Sequence, residues 1–200
     1  MHKPEQLTTQ RLYLRQWRPT DLNPFAALNA DSQVMAHFLK ALSRPESDAL
    51  AARCQQHIAD QGWGIWALET RETGKFIGMT GLSPLTSMPF DEHGDEEGVE
   101  LVWRLAASAW GCGYATEAAR AALEFAFSSL ALDEVLAFTA QRNQRSVAVM
   151  QRLGMADQHR NFNHPRVDPE SSLSEHVLYR LTRSDYFHDP ARTSHPNKHQ

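Results

Sequence analysis

A mixed α/β (α+β) fold is predicted, with one twisted, mostly antiparallel sheet and helices on both faces. Three observations predict it. Strand-like and helix-like patterns alternate through the middle of the chain, an antiparallel hairpin precedes them, and 200 residues with 42% hydrophobic content suit one domain with a sizeable core.

Arg11 to Arg18 reads as the first strand, carrying Leu12, Leu14 and Trp17. Thr20 is placed to cap a short helix that runs to Asn29. Ser43-Arg44-Pro45-Glu46 has the spacing of a capping box with an early proline. Ala51, Cys54 and Ile58 then recur at helical intervals as far as Gly62, which ends the run. Ile65 to Leu68, a turn at Thr73-Gly74, and Phe76 to Met79 form a hairpin. Ser83 to Gly98 is a long connection holding Asp91, Glu92, Asp95, Glu96 and Glu97. It is either solvated surface or, at the mouth of a site, a collector of cations. Val99 to Leu105 is a strand with Val99, Leu101, Trp103 and Leu105 on one face and Glu100, Val102 and Arg104 on the other. A glycine turn leads to a helix from Thr116 to Ser128, whose small face is Ala118, Ala119, Ala122 and Ala126. Val135 to Ala140 is a strand, Ser146 to Leu153 a helix stopped by Gly154, and His176 to Thr182 the last strand. Residues 1–182 form the domain, and 183–200 read as a polar, flexible tail.

The bulk chemistry excludes several classes. A formal net charge of −4, from 20 basic and 24 acidic residues, gives no general pull towards nucleic acid or an anionic membrane. Cys54 and Cys112 make neither a disulfide framework nor a CxxC pair. The N-terminus has no apolar signal region and no stretch approaches a membrane span, so a cytoplasmic location is expected. Among the 10 histidines, His188, His195 and His199 are irregularly spaced in the tail, and no metal site is expected.

Gly111 and Gly113 lie between a strand and a helix, an arrangement that lets unpaired N–H groups approach an anion. Gly-x-Gly alone is a weak signal. Two anion motifs fit poorly. Tyr114-Ala115 follows Gly113 where a P-loop needs Lys-Ser/Thr, and Phe138-Thr139-Ala140 ends the next strand without the carboxylate of a dinucleotide site.

Trp110-Gly111-Cys112-Gly113-Tyr114-Ala115-Thr116-Glu117-Ala118 resembles the acetyl-CoA pyrophosphate loop of the GNAT superfamily, and more narrowly its ribosomal-protein N-acetyltransferase-like (RimJ/RimL-type) branch. Leu12-Tyr13-Leu14-Arg15, Gly62 to Ala67, Phe76 to Leu82, Val99 to Leu105 and His176 to Tyr179 resemble successive strands of that family. Asn143-Gln144-Arg145-Ser146, with Met150 and Leu153-Gly154-Met155, is similar to its second cofactor motif. Many relatives carry a tyrosine general acid where this chain has Met150.

The resemblance implies a GNAT-type domain whose central strands splay around the pantetheine arm of acetyl-CoA, with coenzyme A as product. Backbone groups of Trp103, Arg104 and Leu105 would pair with that arm, and the N–H groups of Trp110, Gly111, Cys112, Gly113, Tyr114, Ala115 and Thr116 would hold the pyrophosphate. Asn143 would reach the cofactor or hold the loop before its helix, and Ser146 would hydrogen-bond the departing thiolate or simply start that helix. Glu100 is the candidate base for the acceptor ammonium, directly or through water; otherwise it is an ion-pair partner of a neighbouring strand. Phe38, Trp63, Trp66 and His164 are candidates to rim the acceptor site, or else core aromatics. No base is visible beside Cys112, so direct transfer to a primary amine, on a peptide N-terminus or a small molecule, is expected over an acyl-cysteine route. The competing readings are a non-catalytic acyl-CoA sensor or interaction module, and an enzyme using another acyl group. Intact Glu100, Asn143 and Ser146 argue against lost catalysis. Dimers are common for such folds, so a homodimer is a further expectation.

Overall fold

The computed structural model describes residues 6–85 and 98–188. In chain order its elements are β1 (Leu7–Thr8), β2 (Leu12–Arg15), α1 (Leu22–Ala30), α2 (Arg44–Gln61), β3 (Ile65–Thr70), β4 (Phe76–Leu85), β5 (Gly98–Leu105), α3 (Tyr114–Ser128), β6 (Glu134–Ala140), α4 (Gln144–Arg152), β7 (Ala156–Asp157), β8 (Phe162–Asn163), β9 (Glu175–Thr182) and α5 (Arg183–His188). The strands form one sheet in the order β1-β2-β3-β4-β5-β6-β9-β7, with β8 also on β9. Every pairing is antiparallel except that of β5 with β6.

Helices cover both faces, as the register shows. Directly paired residues share a face, so Trp66, Thr80 and Trp103 point the same way. Trp66 meets Phe125 of α3 edge-on at 5.7 Å, which puts α3 on that side. Arg104, the next residue along β5, points to the opposite face, where its Nη1 donates to Asn29 of α1 at 2.6 Å.

The local signals explain the helix boundaries. Ser43 caps α2, its Oγ accepting from the Glu46 N–H while the Glu46 carboxylate accepts from the Ser43 N–H at 2.8 Å; Gly62 closes the helix at φ 80°. Thr20 does not cap α1. A 3-10 turn over Pro19–Asp21 intervenes because the Asp21 carboxylate accepts from the Arg18 N–H at 2.8 Å and from both Nη atoms of Arg15. Arg15 and Asp21 are buried at 3% and 1% exposure, and Arg15 Nε donates to Glu69 at 2.7 Å.

Beyond shifts of one or two residues at helix and strand ends, three sequence expectations change in extent. The first strand stops at Arg15, and Trp17 turns inward to donate its indole N–H to the Ile65 carbonyl at 2.8 Å. The expected Ser83–Gly98 connection is shorter at both ends, because Ser83, Pro84 and Leu85 pair with Glu100, Val99 and Gly98. Its five acidic residues lie outside the described residues. The start of the expected polar tail is instead the helix α5, whose Tyr186 is buried and donates from its hydroxyl to Glu124 at 2.5 Å.

Candidate active site

β5 and β6 run parallel and pair at Glu100–Leu136, after which they diverge. The direction of the β5 main chain then decides what the gap can bind. The Ala106 N–H donates to Ile77 of β4, the Val102 carbonyl accepts from Thr80 Oγ1, and the Arg104 carbonyl abuts Gly78. Residues 102, 104 and 106 therefore turn their peptide groups to β4. By alternation, Trp103 and Leu105 turn theirs to the open edge. Arg104 was expected among the backbone contacts; its main chain is committed to β4, and its side chain is what lines the cleft. The Leu105 carbonyl already accepts from the Trp110 indole at 2.9 Å, which ties the glycine turn to the end of β5.

A cleft of about 1820 Å³ runs from this edge to the start of α3 and along α4. That volume exceeds the ~300–1,000 Å³ of ordinary small-molecule pockets. Gly111 (φ 75°) and Gly113 (φ 79°) hold the left-handed conformations that make the turn. No side chain caps α3, whose first turn bonds from the Glu117 N–H to the Gly113 carbonyl at 3.0 Å. The N–H groups of Tyr114, Ala115 and Thr116 thus have no helical partner and carry the positive end of a 15-residue helix. The Trp110 N–H is different: it donates to the Ala107 carbonyl at 3.1 Å, so the anion cradle expected from Trp110 onward starts after it.

Arg11 braces the turn from the other end of the sequence. Its Nε donates to Glu117 at 2.6 Å across 106 residues, its Nη1 donates to the Cys112 carbonyl at 2.9 Å, and its guanidinium lies 4.6 Å from the Tyr114 ring. Thr9 Oγ1 and the Arg11 N–H also donate to Glu117.

Asn143 caps α4. Its Oδ1 accepts from the Ser146 N–H at 3.3 Å and its Nδ2 donates to Thr139 at 3.0 Å, so of its two expected roles it fills the loop-holding one. Ser146 lines the cleft beside it. Arg145 stacks over the Trp110 ring at 4.4 Å, joining α4 to the glycine turn. Met150 is fully buried, so the position of the family's tyrosine is core here.

Glu100 stands at the vertex of the splay and is outside the cleft lining. Among the described residues it has no ion pair, which removes the ion-pair alternative there. Burial pushes its carboxyl up to about 8. It shares a face of β5 with Arg104, four residues on.

The four expected acceptor-site aromatics separate. Phe38 lines the cleft, with the Arg104 guanidinium 4.2 Å from its ring. Trp66 is fully buried against Phe125 and is a core residue. Trp63 packs edge-on to His57 at 5.2 Å, away from the cleft lining. His164 stacks on His176 at 4.9 Å beside Phe138, on the β9 side of the sheet. Cleft residues without a site role in the sequence reading include Arg11, His37, Arg120 and Arg152, while Arg145 appeared there only as part of the Asn143–Ser146 motif. Arg11 acquires its place through Glu117 and Cys112, more than 100 residues away, so no local pattern marks it. Among the described residues no helix is long and apolar enough to cross a membrane, and no cluster of three metal-binding side chains occurs.

The splayed parallel pair and the glycine turn are the two features that the GNAT resemblance implies. Residues 11–156 match the acetyltransferase (GNAT) domain family, and the chain belongs to that family. It is similar to FsC-acetyl coenzyme A-N(2)-transacetylase of Aspergillus fumigatus, 28% identical over 164 residues, covering 80% of this chain and 68% of that protein. It is also similar to the uncharacterized protein YkkB of Bacillus subtilis, 27% identical over 156 residues, covering 78% and 87% of the two chains. A GNAT-family acetyltransferase from Bacillus anthracis superposes with a TM-score of 0.73 at 18% identity, over 90% of this chain and 99% of that one. Spermidine N-acetyltransferase from Vibrio cholerae, in complex with CoA and spermine, superposes at 0.67 with 18% identity, over 88% and 98%. At these identities the two structures establish a shared fold.

Proposed function

We propose that the chain is an acetyl-CoA-dependent N-acetyltransferase that passes an acetyl group directly to a primary amine, within the RimJ/RimL-type branch of its family. The observation that carries this reading is the convergence, on one cleft, of the open β5 edge and the uncapped start of α3. Trp103 and Leu105 offer main-chain groups suited to the amides of a pantetheine arm, and Tyr114 to Thr116 offer N–H groups suited to a pyrophosphate. Arg11, Arg120, Arg145 and Arg152 supply cations along the same cleft. These residues fit coenzyme A, whose thioester supplies the activated acetyl group. The CoA complex of the Vibrio cholerae structure and the name of the Aspergillus fumigatus relative support the same cofactor.

In this scheme Glu100, through water, takes the proton that leaves the acceptor ammonium, because only a neutral amine has the lone pair for attack. The Ser146 hydroxyl donates a hydrogen bond to the departing sulfur. Thiol release from acetyl-CoA, measured across peptides, polyamines, amino acids and aminoglycosides, tests the assignment. Acetyl-CoA-dependent acetylation of at least one class is expected. Tight acetyl-CoA binding with no turnover of any amine would favour the sensor reading.

Gly113→Glu sets a carboxylate where the pyrophosphate is proposed to lie and should weaken acetyl-CoA binding at least tenfold, about 1.4 kcal/mol. Gly113 sits at φ 79°, so any side chain also adds about 1–2 kcal/mol of backbone strain. Gly113→Ala carries that strain without the charge. Calorimetry on both variants should find the larger loss in the Glu variant; equal affinities would contradict the loop assignment.

Cys112 is exposed, and its thiol lies 3.6 Å from the Trp110 carbonyl. With direct transfer, Cys112→Ser should keep kcat close to wild type. A collapse of kcat in a folded Cys112→Ser protein would point to an acyl-cysteine route instead.

A further inference from the structure

We propose that the amine acceptor carries a carboxylate, bound by Arg104 on the α1 side of β5, so that the acceptor class is amino acids rather than simple amines or polyamines. This rests on the acyltransferase reading above. Arg104 is aimed before any ligand arrives. Its Nη1 donates to Asn29 Oδ1 at 2.6 Å, and Asn29 in turn donates to Ser47 Oγ at 2.9 Å. Asn29 and Ser47 are fully buried, and the Phe38 ring supports the guanidinium at 4.2 Å.

Among the described residues Arg104 has no anion beside it, and its Nε is buried without a hydrogen-bond partner. Burial lowers its pKa to about 10. A half-buried guanidinium whose Nε is out of water without a partner is costly to leave uncompensated, and one that lines a cleft is compensated when a ligand brings the charge. The carboxylates of the cleft cannot serve. Glu117 is held by Arg11 and Thr9, and Glu124 by Ser128 and Tyr186. The cofactor's phosphates do not account for Arg104 either, because its side chain leaves β5 on the face opposite α3.

His37 adds a second unsatisfied atom to the same lining: its Nδ1 is buried with no partner. Burial, with the Arg145 charge second, holds this imidazole below its ordinary pKa, so at neutral pH it offers a hydrogen bond and no charge. An amino acid supplies oxygens for both groups and keeps its amine free. Glu100 lies on the same face, its Cα about 13 Å along the strand, so it serves the acceptor amine only through intervening water. A polyamine would bring further cations to an already uncompensated one.

Free amino acids and their carboxamides, compared as acceptors, test this. The α-amine of the amide is the more easily neutralised, so a preference for the acid comes from the site. Wild-type protein should favour acids by about 10–100-fold in kcat/KM. Arg104→Met should erase the preference while leaving acetyl-CoA affinity intact by calorimetry, and Arg104→Lys should restore part of it. Binding of an N-acetyl amino acid to the CoA-loaded protein gives the same discrimination without turnover. Amides used as well as acids by the wild type, or no binding of the N-acetyl amino acid, would overturn the carboxylate assignment whether or not the variants fold. Absence of acetyl-CoA binding would overturn the acyltransferase reading itself.

Discussion

Glu100→Gln should lower kcat by roughly 10²–10⁴-fold at neutral pH and leave acetyl-CoA affinity near wild type. The substitution keeps the size and much of the polarity at the vertex of the splay but removes the base, and the proposed cofactor contacts lie further along β5. The wild-type rate should rise with pH and level off above about 8, where the buried carboxyl is ionised. The variant should recover part of its loss at high pH, as more acceptor arrives neutral. Stability moves the other way. The folded protein keeps this proton up to about 8 while the unfolded chain releases it near its ordinary value of 4.5. Folding is therefore favoured by protonation, and stability falls as pH rises between those values, by up to about 1.4 kcal/mol per pH unit. Glu100→Gln removes that slope. Urea denaturation at several pH values, run beside kcat, measures both effects on one protein. A variant with near-native kcat would remove Glu100 from the mechanism.

The largest stability effect is expected at the other end of the sheet. Arg15→Met should cost about 3–5 kcal/mol and lower the melting temperature by roughly 6–20 °C. The reason is the carboxylate left behind: Asp21 is 1% exposed and loses both of its guanidinium bonds, at 2.8 and 2.9 Å. Adding Asp21→Asn removes the stranded charge while still accepting the Arg18 N–H, so the double variant should regain much of the loss. A melting temperature within about 2 °C of wild type for Arg15→Met alone would show that the pair contributes little.

The sequence carried most of the fold because its elements have local signatures. The Ser43–Glu46 box, Gly62 and the alternation over Val99–Leu105 each sit in their expected element. The two-residue strands β1, β7 and β8 are too short for any periodicity and exist through their partners. The Asp21 carboxylate displaced the Thr20 cap by reaching Arg15, which a local reading cannot foresee. In the cleft, the glycine turn was legible because motif and geometry coincide; Asn143 was read only as reaching the cofactor or holding the loop, and its cap on α4 came from the structure. Trp66 was not separable from a site aromatic, since only the packing of α3 against β3 makes it core. Arg11 and His37 were invisible for the same reason: residues distant in sequence create their surroundings. Alternation in β5 placed Glu100 and Arg104 on one face, but the assignment of Arg104's peptide groups to β4 needed the register.

The central claim is that this cleft hands an acetyl group from CoA straight to an amine. Its most direct test is one turnover with isotopically labelled acetyl-CoA and an acceptor found in the screen, followed by mass spectrometry of both acceptor and protein. The label should enter the amine in step with thiol release, with none retained on the protein at any time. Label held on the protein, or thiol released without a labelled amine, would contradict it.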